Sequence, residues 1–195
     1  MPATKAMPKE LLPIIDKPII QYAVEEAVAA GIMDLMFVTG RTKRAIEDHF
    51  DRNLELEASL KAKGKDDVRD MVRNITPKGV NCVFARQPEA LGLGHAVICA
   101  APLIGDAPFA VLLAGDFMRG DVLPTEALVR AYGETGHSAI SVSEVPKEDV
   151  SKYGVISTPK RMGSGLLPVA GIVEKPNVSD APSNFASIER YVFDP

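Results

Sequence analysis

Four short stretches hold side chains whose types and spacing could do chemistry. In "KAMPKELLP", Lys5 and Lys9 sit on a turn stiffened by proline. An ammonium is a compact charge with three donors, suited to neutralising phosphate, although taken alone the segment reads first as solvated lysines on a terminus. In "RQPEALGLGHA", Gly92 and Gly94 precede an apolar helical run, where bare backbone N–H groups can approach an anion or a flat ring. A plain helix-entry turn has the same pattern. Gln87 in this stretch offers both a donor and an acceptor, the pair needed to read a nucleobase edge, and His95 reads as a structural histidine at the helix start or as a ligand contact. In "LLAGDFMRGD", Asp116 follows an apolar run, with Asp121 five residues on. A carboxylate at the end of a buried strand could hold Mg2+ against phosphates, or it could simply close a turn. In "GIVEKP", Glu174 and Lys175 stand side by side before Pro176. Neighbours on a strand point to opposite faces, so one could reach a polar ligand while the other pairs elsewhere; a surface ion pair is the alternative.

Other chemistries lack their signatures. There is no cysteine and histidine spacing for zinc, no nucleophile elbow and no P-loop, and His49, His95 and His137 are scattered. Any catalysis would therefore depend on positioned phosphates and a hard metal ion.

The elements that must position these groups follow from periodicity. "IIQYAVEEAVAA" puts Ile19, Ile20, Ala23, Val24, Ala27 and Val28 on one helical face, with Pro18 suited to the first turn and Gly31 to the stop. Ahead of it, the opening stretch reads as a loop without a strand. "DLMFVTG" reads as a buried parallel strand, and "TKRAIEDHF" as a helix capped by Thr42. Residues 53–74 form a charged helical pair broken at Gly64. "VNCVFA", "FAVLLA" and "SAISVSEV" are strands, with helices over "GHAVICAA" and from about Thr125 to Glu134. Beyond them "YGVIST", "LLPVAGIVEKP" and "SIERYVF" are strands with no helix between them. The expected class is α/β, a Rossmann-like, mainly parallel sheet with helices on both faces, and antiparallel strands added in the last third.

Composition narrows the function classes. A formal net charge of −4 over 195 residues gives no footing for nucleic-acid binding. No apolar run is long enough to span a bilayer, so no membrane partner is expected. Cys82 and Cys99 lie in apolar runs far apart and read as buried free thiols, which suits a reducing, cytoplasmic compartment.

Taken in order, the segments resemble the bacterial UTP–glucose-1-phosphate uridylyltransferases of the sugar-phosphate nucleotidyltransferase superfamily. The matching pieces are "PATKAMPKELLPIIDKPIIQYAVEEAVAAGI", "HFDRNLELEASL", "FARQPEALGLGHAVICA", "YGVI", "GIVEKP" and "APSNFASIERYVF". Thymidylyltransferases for the same sugar phosphate share "LLP", "DKP" and "EKP" but lack the acidic insert and the "PKELLP" wording. The resemblance implies a single nucleotidyltransferase domain over 1–195 that acts on UTP and glucose-1-phosphate with Mg2+ and assembles into homo-oligomers. It implies that Lys9 contacts the triphosphate, Glu10 lies beside the uridine, Gln87 reads the uracil edge and Gly92 packs beneath the base. Gly154 and Glu174 would bind glucose hydroxyls and Lys175 the sugar phosphate, with Lys9 and Lys175 as the catalytic pair and Asp116 the candidate metal ligand.

Departures from the family pattern accompany the match. Only "PATK" of a GxGTRxLPATK signature is present, and the chain stops at Pro195 before the family's C-terminal portion with its second metal-ligating aspartate. The resemblance thus implies a missing first strand and a domain incomplete at both ends relative to the family. "LAGD" stands where the family has LPDD or LADD, leaving Asp116 one place late. Glu189 replaces the usual glycine before "RY". Impaired turnover is the resulting expectation, with two alternatives: a non-catalytic relative that binds a nucleotide sugar or a partner subunit, and a thymidylyltransferase.

Overall fold

The computed structural model describes residues 4–159 and 166–195, so Met1, Pro2 and Ala3 of the opening stretch lie outside the described residues. The chain divides into two compact units. One comprises Met1–Ala107, Ala114–Glu126 and Pro195, the other Pro108–Leu113 and Ala127–Asp194.

The first unit begins with a short 3-10 turn, Lys9–Leu11, and then departs from expectation. β1 (Pro13–Ile14) and β2 (Lys17–Pro18) pair antiparallel where a loop without a strand was expected. The hairpin forms because later residues hold it. The Tyr22 hydroxyl lies 2.8 Å from Ile14 O and 2.7 Å from Asp16 Oδ1, and Lys17 Nζ is 2.6 Å from Glu25 Oε2. Both anchors stand on α1 (Ile19–Ala29), which starts after Pro18 and ends before Gly31. β3 (Asp34–Thr39) runs parallel to β4 (Asn81–Arg86), in register from Asp34↔Asn81 to Thr39↔Arg86.

Between them come α2 (Arg44–Phe50), α3 (Leu54–Ala62) and α4 (Asp66–Arg73). Thr42 does not cap α2. The helix starts after Lys43, with no side-chain cap. Asn53 does cap α3, accepting from Leu56 N at 2.9 Å. The charged pair α3 and α4 behaves as an outer covering, since α4 buries no residue. The core is Ile20, Val24, Ile46 and Phe50, with Phe37 and Phe84 packed against it. Phe37 lies 4.8 Å from the Phe50 ring and 5.0 Å from the Phe84 ring. α5 (Leu93–Ile104) follows β4 through a glycine turn.

The second unit is antiparallel. β5 (Phe109–Leu112), β6 (Ala139–Glu144), β7 (Gly154–Ser157), β8 (Gly171–Glu174) and β9 (Phe185–Phe193) form one sheet in the order β5-β9-β7-β8, with β6 also on β9. α6 (Pro124–Thr135) lies between β5 and β6 in sequence. The α/β class with a parallel pair and antiparallel strands late in the chain is the observed one. Among the described residues the parallel pairing is that of β3 with β4, while β5 finds its partner 80 residues on, in β9. Val150, Val155, Ile156 and Ala186 are fully buried. β9 bulges at Glu189, which takes φ +59 while the β6 register jumps from Ile140↔Tyr191 to Val142↔Ser187. Arg190, only 1% exposed, donates to Leu113 O at 2.9 Å and so ties the bulge to the end of β5.

Candidate active site

Glu10 is the first candidate that the fold develops. It sits in the 3-10 turn with 9% of its surface exposed. Lys43, just before α2, donates to its Oε1 at 2.8 Å, while Oε2 is buried with no hydrogen-bond partner among the described residues. Burial acts to raise this carboxyl's pKa. The Lys43 hydrogen bond and charge, a backbone hydrogen bond and the Lys9 charge outweigh it and hold the group below the ordinary range. A buried, ionised carboxylate with one unused oxygen is suited to accept from a ligand hydroxyl or N–H. Lys43 carried no signal in the sequence because its partner lies 33 residues away. Lys9, beside Glu10, is exposed, as is Lys5, so both ammonium groups are open to solvent and to anions.

Gln87 and Gly92 come together at the carboxyl end of the parallel pair. Gln87 N donates to Thr39 O at 3.0 Å, which seats the residue where β4 leaves the sheet. Its side-chain Nε2 donates to Gly92 O at 3.0 Å and lies 3.2 Å from His95 Nδ1. The expectation that Gln87 would offer both donor and acceptor is therefore narrowed: the donor side is engaged within the loop. Gly92 takes φ +95, which favours glycine, and a Cβ there would meet nothing within 4 Å. Backbone conformation demands this glycine, and the space over it is open.

Asp116 is exposed on the loop after β5, and its neighbour Phe117 packs edge-on against Tyr22 with ring centroids 4.8 Å apart. No group of three or more metal-ligating side chains occurs among the described residues, and Asp121 does not complete one. That is compatible with Mg2+, which commonly takes one or two carboxylates and completes its shell with water and substrate phosphates. Asp116 presents one exposed hard-oxygen donor for such a shell, and the Phe117 ring beside it supplies no ligand.

In the second unit, Gly154 pairs directly with Glu174 across β7 and β8. A Cβ on Gly154 would stand 3.1 Å from Glu174 Oε2, so the bare strand makes room for the carboxylate. Glu174 and Lys175 do not point to opposite faces. Lys175 takes φ +46, which breaks the strand alternation, and its Nζ comes to 3.7 Å from Glu174 Oε1. Both side chains are well exposed, so the pair stays open to a polar ligand. Cys82 and Cys99 are free and half-buried rather than buried, and burial pushes the Cys82 thiol up, against a hydrogen bond from Thr76.

The chain is similar to known proteins over its whole length. The nucleotidyl transferase family model matches residues 1–195. A UTP–glucose-1-phosphate uridylyltransferase of Staphylococcus epidermidis is 52% identical over all 195 residues, which span 67% of that protein. One of Bacillus subtilis is 50% identical over 192 residues, covering 98% of this chain and 64% of the relative. The chain thus spans about two thirds of the length of the curated relatives it matches. A solved UTP-bound UDP-glucose pyrophosphorylase from Acinetobacter baumannii superposes with a TM-score of 0.93 at 39% identity, covering 100% of this chain and 69% of that one. By its sequence and its fold, the chain belongs to the nucleotidyl transferase family, with UTP–glucose-1-phosphate uridylyltransferases as its relatives.

Proposed function

We propose that the chain binds UTP and glucose-1-phosphate and transfers the uridylyl group to make UDP-glucose and pyrophosphate. The observation that carries this reading is the Gln87–Gly92 turn, an oriented amide beside an open glycine surface at the end of a parallel pair. It stands in a chain 52% identical to a protein of that activity. Uridylyl rather than thymidylyl transfer follows from the names of those relatives.

In this reading Gln87 and Gly92 hold the base, and the unused Oε2 of Glu10 accepts from the nucleoside. Lys9 neutralises the triphosphate. Gly154 and Glu174 hold glucose hydroxyls, and Lys175 holds the sugar phosphate. The sugar-phosphate oxygen attacks the α-phosphorus, the bond to the bridging oxygen breaks, and pyrophosphate leaves. No covalent enzyme intermediate is required, so the protein's work is alignment and charge neutralisation. Asp116 would hold Mg2+, which when bound shares the phosphate charge. Residues 1–195 act as one nucleotidyltransferase domain in the cytoplasm, where reduced Cys82 and Cys99 are at home, within a homo-oligomer.

Pyrophosphate release in the presence of UTP, glucose-1-phosphate and Mg2+ tests the activity. Release coupled to UDP-glucose formation supports it. Absence of release together with calorimetric binding of UDP-glucose would instead establish a non-catalytic binder, and a preference for dTTP would replace the base assignment.

A further inference from the structure

Gln87 is held by more than its own turn. Its amide nitrogen lies between two acceptors, Gly92 O at 3.0 Å and His95 Nδ1 at 3.2 Å. With Nδ1 unprotonated, the two amide hydrogens face two lone pairs and both are used inside the loop. Among the described residues no donor reaches Gln87 Oε1, and it is left for a ligand. Turning the amide over would set Oε1 against Gly92 O and the imidazole lone pair together, an acceptor on two acceptors.

The ring itself must be neutral with its proton on Nε2 to act in this way. Nε2 faces Cys99 Sγ at 3.9 Å, a weak acceptor one helical turn on. Nδ1 also lies 3.1 Å from Glu89 O. That carbonyl accepts from Leu91 N at 2.9 Å and keeps a second lone pair, to which the opposite tautomer would donate its Nδ1–H. The second Gln87 amide hydrogen, by contrast, has no acceptor but His95 among the described residues.

We propose that His95 is a positioning residue for base selection, fixing Gln87 with its amide oxygen toward the ligand so that the site favours a base with an N–H on its pairing edge. The inference rests on the reading in which Gln87 contacts the base. Uracil presents N3–H, which Oε1 accepts. Cytosine presents a lone pair at N3, and its best pairing with a glutamine needs the amide turned over. Holding the amide one way therefore separates the two pyrimidines by a repulsive contact as well as an attractive one.

Calorimetric titration with UTP and with CTP tests this in the full chain, its His95→Leu and His95→Asn variants, and Gln87→Ala. The Asn oxygen retains an acceptor near the position of Nδ1. The native chain is expected to prefer UTP. His95→Leu is expected to reduce the UTP:CTP affinity ratio about five-fold, the worth of one hydrogen bond, while His95→Asn keeps most of it. A role confined to folding would weaken both nucleotides equally and leave the ratio alone, and that result overturns the proposal. If Gln87→Ala preserves the ratio, base reading by Gln87 fails. If Gln87→Ala abolishes it and His95→Leu does not, the inference about His95 alone fails. Lack of UTP binding by the native chain would sink both. Nitrogen-15 spectra of the ring give a check that needs no ligand: an unprotonated Nδ1 is expected, and a protonated Nδ1 in the neutral ring overturns the assignment.

Discussion

Replacing Glu189 by glycine should make the protein more stable, even though it removes a charged side chain from the middle of a strand. Glu189 takes φ +59 at the bulge of β9. Leu113 N donates to its carbonyl at 3.2 Å, and Arg190 reaches the same carbonyl at 3.3 Å. These bonds belong to the backbone and survive the substitution. An L-residue in the left-handed region costs about 1–2 kcal/mol through its Cβ. Glycine returns about 0.5–1 kcal/mol of that through its greater entropy in the unfolded chain. The net gain is about 0.5–1 kcal/mol, or about 1–4 °C in a thermal melt for a chain of this length. Glu189 also makes a side-chain or electrostatic contact of its own, so Glu189→Ala is the needed reference: it loses that contact and keeps the Cβ. Urea and thermal unfolding of the three proteins should rank glycine above both glutamate and alanine. An alanine variant as stable as the glycine variant would refute the argument from backbone strain.

Two further outcomes follow from the same geometry. Gly154→Ala would place a Cβ 3.1 Å from Glu174 Oε2 and 3.4 Å from Ile172 Cγ2. Because Glu174 is exposed and can swing away, stability should change by less than about 0.5 kcal/mol while UDP-glucose binding weakens about ten-fold by calorimetry; unaltered affinity would remove Glu174 from the sugar site. Burial holds the His49 imidazole below its usual pKa, with Nε2 3.3 Å from Gln21 Oε1. The unfolded chain therefore takes up this proton first as pH falls. The stability contributed is complete above about pH 6.5 and is lost as pH drops toward the lowered folded value. The urea midpoint should fall between pH 7.5 and 5.5, and fall less in His49→Gln. An equal fall in both proteins would show that other groups govern the acid response.

Much of the chain's local structure was determined by residue pattern alone. The apolar stripe of α1, the runs of β3 and β4, the break at Gly64 and the glycine entry to α5 depend on neighbours a few residues apart, so periodicity and turn chemistry were enough to locate them. The glycine that the family resemblance leads one to expect before "RY" also acquires a reason, since the bulge places a positive φ at that position and Glu189 occupies it. Tertiary structure decided what spans long separations. β5 lies antiparallel to β9, Lys43 closes on Glu10 and Tyr22 closes on the opening hairpin, and no local preference specifies any of these partners. It also decided how the candidate groups present themselves. Glutamine carries a donor and an acceptor in any sequence, but only the fold brings the carbonyl of Gly92 and the ring of His95 together at the nitrogen end of the Gln87 amide.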